Sequence, residues 1–111
     1  MLPAVHRLRS STDFSEVVRR GRRSGRPTLT VHLLPGTEGS VRAGLVVSKA
    51  VGGSVVRHQV ARRLRHLLRD RLLTLPAGTR LVVRAAAPAG AATSAALGSD
   101  LDVALGKLAP R

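Results

Sequence analysis

The chemistry this sequence offers is concentrated in one run of arginine. Between Val55 and Leu75 the residues Arg57, Arg62, Arg65 and Arg69, with His58 and His66, fall opposite Val56, Val60, Leu64, Leu67, Leu68 and Leu72 on a helical wheel. The apolar set fills an arc of roughly 160° at about 100° per residue, which predicts an amphipathic helix with an arginine-rich outer face. A guanidinium forks onto phosphate, keeps its charge at every relevant pH and stacks on bases. A charged helix face can also be merely solvated. Here Asp70 is the only acid nearby, and an unneutralised arginine face on a stable helix points to an anionic ligand.

Other chemistry is thinly supported. His6, His32, His58 and His66 show no metal-ligand spacing with a carboxylate, and His58 and His66 sit among arginines that would repel a cation. Asp13, Glu16, Glu38, Asp70, Asp100 and Asp102 are scattered. Asp100 and Asp102 cannot face together on a helix, so no paired-carboxylate site is evident. Gly52–Gly53 lacks the Lys–Ser/Thr of a phosphate loop. The single aromatic residue, Phe14, reads either as a core anchor for the first helix or as a lone ring exposed in a groove for stacking.

Composition narrows the partner. The chain has 111 residues with 19 Lys+Arg against 6 Asp+Glu, a formal charge of +13, yet 43% of residues are hydrophobic. That describes one folded domain, 1–111, with a concentrated positive surface, not a disordered basic tail. Without cysteine there is no disulfide framework, thiol nucleophile or cysteine-bound zinc, which fits a reducing, cytoplasmic location. No apolar run approaches the ~20 residues that span a bilayer, and the N-terminus lacks the apolar stretch of a signal peptide. So much charge on so small a body suits a long polyanion.

The elements that must position these residues are legible in outline. A helix over 11–20 is capped by Ser11 or Thr12, with Asp13 and Glu16 in its first turn and Phe14, Val17 and Val18 as its apolar stripe. Gly21 ends it, and 19–27 reads as a flexible basic loop carrying Arg19, Arg20, Arg22, Arg23 and Arg26. Thr28–Leu34 and Val41–Ser48 read as strands, most simply an antiparallel hairpin. Ser54 would cap the arginine helix. Thr79–Arg84 reads as a further strand, 85–92 as an Ala/Pro/Gly loop, and Thr93–Leu108 as a last helix carrying Leu97, Leu101, Leu105 and Leu108. The sum is an α+β fold, a sheet with helices packed on it.

The run from Gly44 to Arg65, Ser48–Lys49 … Gly52 … Val55–Val56–Arg57 … Arg62–Arg63–Leu64–Arg65, resembles the signature of the bacterial ribonuclease P protein component. Arg7–Leu8, Asp13–Phe14, the Arg20–Gly21–Arg22–Arg23 segment and the strand Leu81–Ala85 are similar to the same family, so the resemblance spans nearly the whole chain. It departs from the family pattern at Gly53, where asparagine is usual, at His58–Gln59, at Ala61, and at Val18, where a second aromatic is common. These departures bear on the strength of RNA contact more than on its existence.

The resemblance implies a two-layer α/β sandwich with a four-stranded mixed sheet, three helices and a left-handed crossover, against the right-handed default for parallel connections. It implies a protein subunit that helps a catalytic RNA, holding Mg2+, remove the 5′ leader of precursor tRNA. Lys49, Arg57, His58, Arg62, Arg63, Arg65 and Arg69 would meet the RNA subunit. Phe14, Val18 and Val31 would line the leader groove, with Arg19, Arg20, Arg22, Arg23 and Arg26 in support. No metal held by the protein, no membrane and no stable protein partner are expected. The competing expectation is a non-catalytic ribosomal or nucleoid-type RNA- or DNA-binding protein.

Overall fold

The computed structural model describes residues 6–108. Helix α1 (Ser11–Arg20) leads into strand β1 (Arg22–Gly25), followed by β2 (Leu29–Leu34), β3 (Arg42–Val46), α2 (Ser54–Leu72), β4 (Arg80–Ala85) and α3 (Ser94–Leu108). Short 3-10 turns at Lys49–Val51 and Ala87–Ala91 precede α2 and α3. The sheet order is β1-β2-β4-β3. β1/β2 and β2/β4 are antiparallel, whereas β3 and β4 are parallel and joined by α2. The mixed four-stranded sheet with three helices is the α+β architecture expected.

The expected hairpin between Thr28–Leu34 and Val41–Ser48 is absent, because β4 lies between β2 and β3. Leu81, Val82 and Val83 are each fully buried, and a strand apolar on both faces belongs at the centre of a sheet. The 19–27 segment is also not a flexible loop. Arg19 and Arg20 complete α1, and Arg22–Gly25 pairs with β2 in the register Arg22↔Leu33 to Gly25↔Thr30. Its composition has low strand propensity, and the pairing comes from the exposed edge that β2 offers. Charged residues on such an edge strand discourage pairing with another chain. Gly21 makes the turn feasible, since a Cβ there would lie 2.5 Å from the Val17 carbonyl oxygen and 2.8 Å from that of Leu33.

The helix ends differ in detail from expectation. Ser10, not Ser11 or Thr12, caps α1, its Oγ accepting from the Asp13 N–H at 3.0 Å. Gly53 occupies the cap position of α2, Ser54 is its first helical residue, and the helix stops at Leu72. Thr93 caps α3 by accepting from the Ala96 N–H at 3.1 Å. Of the 85–92 segment, Ala85 ends β4 and Ala89 is fully buried.

Alternation along the strands sorts the core onto two faces. Leu29, Val31, Leu33, Leu81 and Val83 face α2 and α3, joining Val60, Leu64, Leu68, Leu97 and Leu101. Val82 faces the other way and packs with Leu8, Val17, Phe14, Val18, Leu34 and Val46. Helix α1 therefore covers only part of the second face. Arg80 fastens it there, with one guanidinium nitrogen 3.0 Å from Asp13 and the other bonded to Glu16. Arg71 forks onto Asp102 at 2.7 and 3.1 Å and ties α2 to α3.

Asp100 on α3 holds the β1–β2 hairpin. Its carboxylate accepts from the Thr28 hydroxyl at 2.6 Å, the Thr28 N–H at 3.1 Å and Arg26 Nε at 3.3 Å. The Thr28 hydroxyl first, and then its N–H and Arg26, hold this carboxyl below the usual aspartate range against the opposing effect of burial. A carboxyl with a depressed folded-state pKa stabilises above its unfolded value of about 3.9, and that contribution is lost as pH falls through the folded value. Asp100→Ala is expected to cost about 2 kcal/mol in urea unfolding at neutral pH. Asp100→Asn should show a shallower loss of stability below pH of about 4 than the native chain. An unchanged acid limb would assign the acid sensitivity elsewhere.

Candidate nucleic-acid interface

The outer face of α2 gathers Arg57, His58, Arg62, Arg65, His66 and Arg69. His58, Arg62, His66 and Arg69 are exposed, while Arg57, Arg63 and Arg65 are half-buried. Among the described residues, no carboxylate lies within 4.0 Å of Arg57, Arg62, Arg65 or Arg69; the ion pairs involve Arg20, Arg26, Arg71 and Arg80. Arg63 is turned toward its own protein, donating to the Ala92 carbonyl at 3.3 Å. Arg57 has its Nε enclosed without a hydrogen-bond partner in the protein. A buried donor left unpaired costs about 1–3 kcal/mol, so any ligand of Arg57 is met by its terminal guanidinium nitrogens. Around it Leu45, Val47, His58, Ala61 and Arg65 shape a shallow cleft, and Ser54, Val55, His58, Gln59, Arg62 and Arg65 shape a second of about 600 Å³. Lys49, in the turn ahead of α2, is exposed.

A third cleft, of about 380 Å³, lies on the α1 side of the sheet and is lined by Arg7, Leu8, Arg9, Phe14, Ala43, Gly44, Leu45 and Arg65. Phe14 reaches the sheet because residue 44 is glycine: a Cβ there would collide with the ring. The ring is half-buried, packed in the small core on one side and lining the cleft on the other. Val18 is half-buried beside it in the same cluster. Residues 7 and 8 run along the outer edge of β3, with Arg7 bridged to Ala43 and the Leu8 N–H donating to the Ala43 carbonyl at 2.9 Å. Arg65 and Leu45 border both this cleft and the one beside Arg57. The two surfaces are thus continuous across the β3 edge.

Val31 does not belong to this groove. It is fully buried and faces α2 and α3; the one-residue alternation of β2 sends Thr30, His32 and Leu34 to the α1 side instead. Arg26 is engaged with Asp100, and Arg20 lies 3.5 Å from Glu16. Arg19, Arg22 and Arg23 are exposed. His32 is only 6% exposed; burial first, then the nearby Arg84 and Arg23, hold its imidazole below the usual histidine range.

Side-chain catalysis finds no constellation among the described residues. No group of three or more His, Asp or Glu gathers to hold a metal ion. The described part of His6 chemistry is structural, its Nδ1 lying 2.8 Å from the Val41 carbonyl. No helix of the described residues is long and apolar enough to cross a membrane. Sequence pattern did not single out Arg84, Gly44 or the Arg7–Arg9 segment as site components. Their only signal is strand parity, which becomes informative once the pairing of β2, β4 and β3 is known.

Fold and surface together define a basic α+β domain with an arginine face of the kind that meets nucleic acid. The sequence profile described as Ribonuclease P matches residues 2–109. The ribonuclease P protein component of Streptomyces avermitilis is 55% identical, with 97% of this chain and 95% of that protein covered. That of Streptomyces griseus subsp. griseus is 56% identical at the same coverage. Among solved structures, the RNase P protein of Staphylococcus aureus superposes with a TM-score of 0.79 at 22% identity, covering 95% of this chain and 98% of the other. The RNase P protein of Thermotoga maritima gives 0.76 at 21% identity, covering 93% and 94%. The chain belongs to the ribonuclease P protein family.

If the open face of α2 meets phosphates, Arg57→Ala combined with Arg62→Ala should flatten the dependence of RNA affinity on salt. Each lost phosphate contact removes roughly 0.7–0.9 from the log–log slope. Binding isotherms across a salt series read this directly, and an unchanged slope would return both arginines to the solvated face.

Proposed function

We propose that this protein is the subunit of ribonuclease P that seats the catalytic RNA on α2 and guides the 5′ leader of precursor tRNA through the groove beside Phe14. The observation that carries this reading is the continuity of the two basic surfaces at Arg65 and Leu45. An RNA body resting on Lys49, Arg57, His58, Arg62, Arg65 and Arg69 would bring a single strand emerging from it onto the α1 side of the sheet. Arg63 takes part as far as its bond to Ala92 leaves donors open. Phosphate contacts supply most of the affinity and RNA shape most of the selectivity, because only Phe14 can stack a base on an aromatic ring.

The chemistry of cleavage is assigned to the RNA subunit and the Mg2+ it holds. Four of the six carboxylates, Asp13, Glu16, Asp100 and Asp102, are each bonded to an arginine, and Glu38 and Asp70 join no cluster of three or more metal-ligating groups among the described residues. Its contribution is to neutralise backbone charge where two RNAs must approach each other, and to favour precursor over product through the leader. The partners are the RNA subunit and precursor tRNA, with no stable protein partner, and the compartment is the cytoplasm.

Adding the protein to the RNA subunit and precursor tRNA at low Mg2+ should stimulate 5′ cleavage, and the protein alone should cleave nothing. Absence of stimulation would favour a ribosomal or nucleoid-type binding protein. Phe14→Ala should lower affinity for leader-bearing tRNA by about 1–3 kcal/mol, the worth of one stacked base, and leave mature tRNA binding unaltered. Equal losses for both would make Phe14 a purely structural residue.

A further inference from the structure

The part of the sheet that α1 leaves uncovered carries two arginines flanking a buried histidine. On this face Arg23 of β1 pairs directly with His32 of β2. Arg84 of β4 pairs with Thr30, one position along the same face from His32. Directly paired side chains on an antiparallel sheet stand about 5 Å apart at Cβ and diagonal ones about 7–8 Å, within reach of a guanidinium. Arg23 and Arg84 are exposed, and neither has a carboxylate within 4.0 Å among the described residues. His32 is buried between them, with its Nδ1 enclosed and unbonded.

We propose that Arg23, His32 and Arg84 form a phosphodiester-binding subsite on the sheet face, in which docking of the phosphate is coupled to protonation of His32. This rests on the reading of the α1 side as the leader groove and adds a proton linkage to it. Because Nδ1 is enclosed, any bond from the ring to a ligand is made through Nε2. In the unliganded protein, burial and the two arginines disfavour the imidazolium. A phosphodiester held by Arg23 and Arg84 reverses the local sign of charge, favours the cation and accepts the Nε2–H in a charge-assisted bond.

Of the other charged groups on this face, Arg42 of β3 pairs with Arg80 and makes no ion pair among the described residues. From β4, Arg80 is neutralised by Asp13 and Glu16 of α1. From α1 itself, the residues packed on this face are Phe14, Val17 and Val18. The bound-state pKa of His32 therefore lies above its unliganded value. The complex takes up a proton in the window between them, and affinity rises as pH falls through that window. Each unit of separation corresponds to about a tenfold gain in affinity.

The test is a residue-resolved NMR titration of the four histidines in the full chain, with and without a short oligouridylate. Uracil takes up no proton in this range, so the nucleic acid is silent. The expected result is a rise in the His32 pKa on binding, abolished in Arg84→Ala, whose exposed side chain makes loss of folding an unsuitable explanation. His32→Gln should bind oligouridylate with a weaker pH dependence than the native chain. Perturbation of Phe14 and Val18 with an unmoved His32 pKa would overturn the subsite and leave the leader groove standing. If the oligonucleotide perturbs neither Phe14 nor Val18, the groove reading falls and this inference with it.

Discussion

Leu81, Val82 and Val83 of β4 are each fully enclosed, and the rest of the molecule follows from the need to cover that strand on both faces. A chain of this size has too little apolar surface for two full helical layers. α2 and α3 take one face with nineteen buried residues in a continuous cluster, while the cluster under α1 contains three. The second face is consequently covered only in part, and the uncovered part is where the groove lies. An open surface arises here from an incomplete layer: the helix that would close it is ten residues long and is held by the Arg80 pairs with Asp13 and Glu16.

Charge is distributed by the same economy. Four acidic residues, Asp13, Glu16, Asp100 and Asp102, all serve internal fastening, each bonded to an arginine from another element. Glu38 and Asp70 make no ion pair among the described residues. The acids therefore draw Arg26, Arg71 and Arg80 into the structure and leave the α2 face and the β1–β4 face unneutralised. Such surfaces repel themselves in the absence of a ligand and release that repulsion, together with bound counterions, when a polyanion docks. The +13 charge thus includes arginines on both the α2 face and the open sheet face that have no acidic partner among the described residues.

How much of this the sequence discloses depends on the range of the interaction. Helix α2 is legible because its buried positions, Val60, Leu64, Leu68 and Leu72, repeat at a local period, and its arginines fall opposite by the same geometry. The strands are legible as segments, yet their pairing is not. β2 and β3 are sequence neighbours whose local pattern suits a hairpin, and only the two-sided burial of β4 displaces that pairing. β1 is the clearest failure of local reading: Arg22–Arg23–Ser24–Gly25 has the composition of a loop and becomes a strand because β2 would otherwise have an unpaired edge. The misplacement of Val31 has the same origin, since a strand's parity is fixed by the sheet it joins and a one-residue shift exchanges its faces. Resemblance to a known family supplied the four-stranded mixed sheet that periodicity could not.

Gly44 shows how closely groove and core depend on one another. Its lack of a side chain is a gap in strand β3, and glycine weakens a strand interior. Phe14 fills that gap with the only aromatic ring in the chain, so the ring is anchored from below while its upper surface borders the cleft with Arg7, Arg9 and Arg65. Stacking on a ring already fixed by packing costs little side-chain entropy at the moment of binding. In the proposed reading Phe14 alone offers an aromatic face, since Val18 adds only apolar contact. The weight of the proposed recognition then shifts to charge, and the guanidinium groups of Arg23 and Arg84 stand on the open side of the same sheet face. The proposed dependence on phosphate position more than on base identity follows from that substitution of charge for aromatic surface.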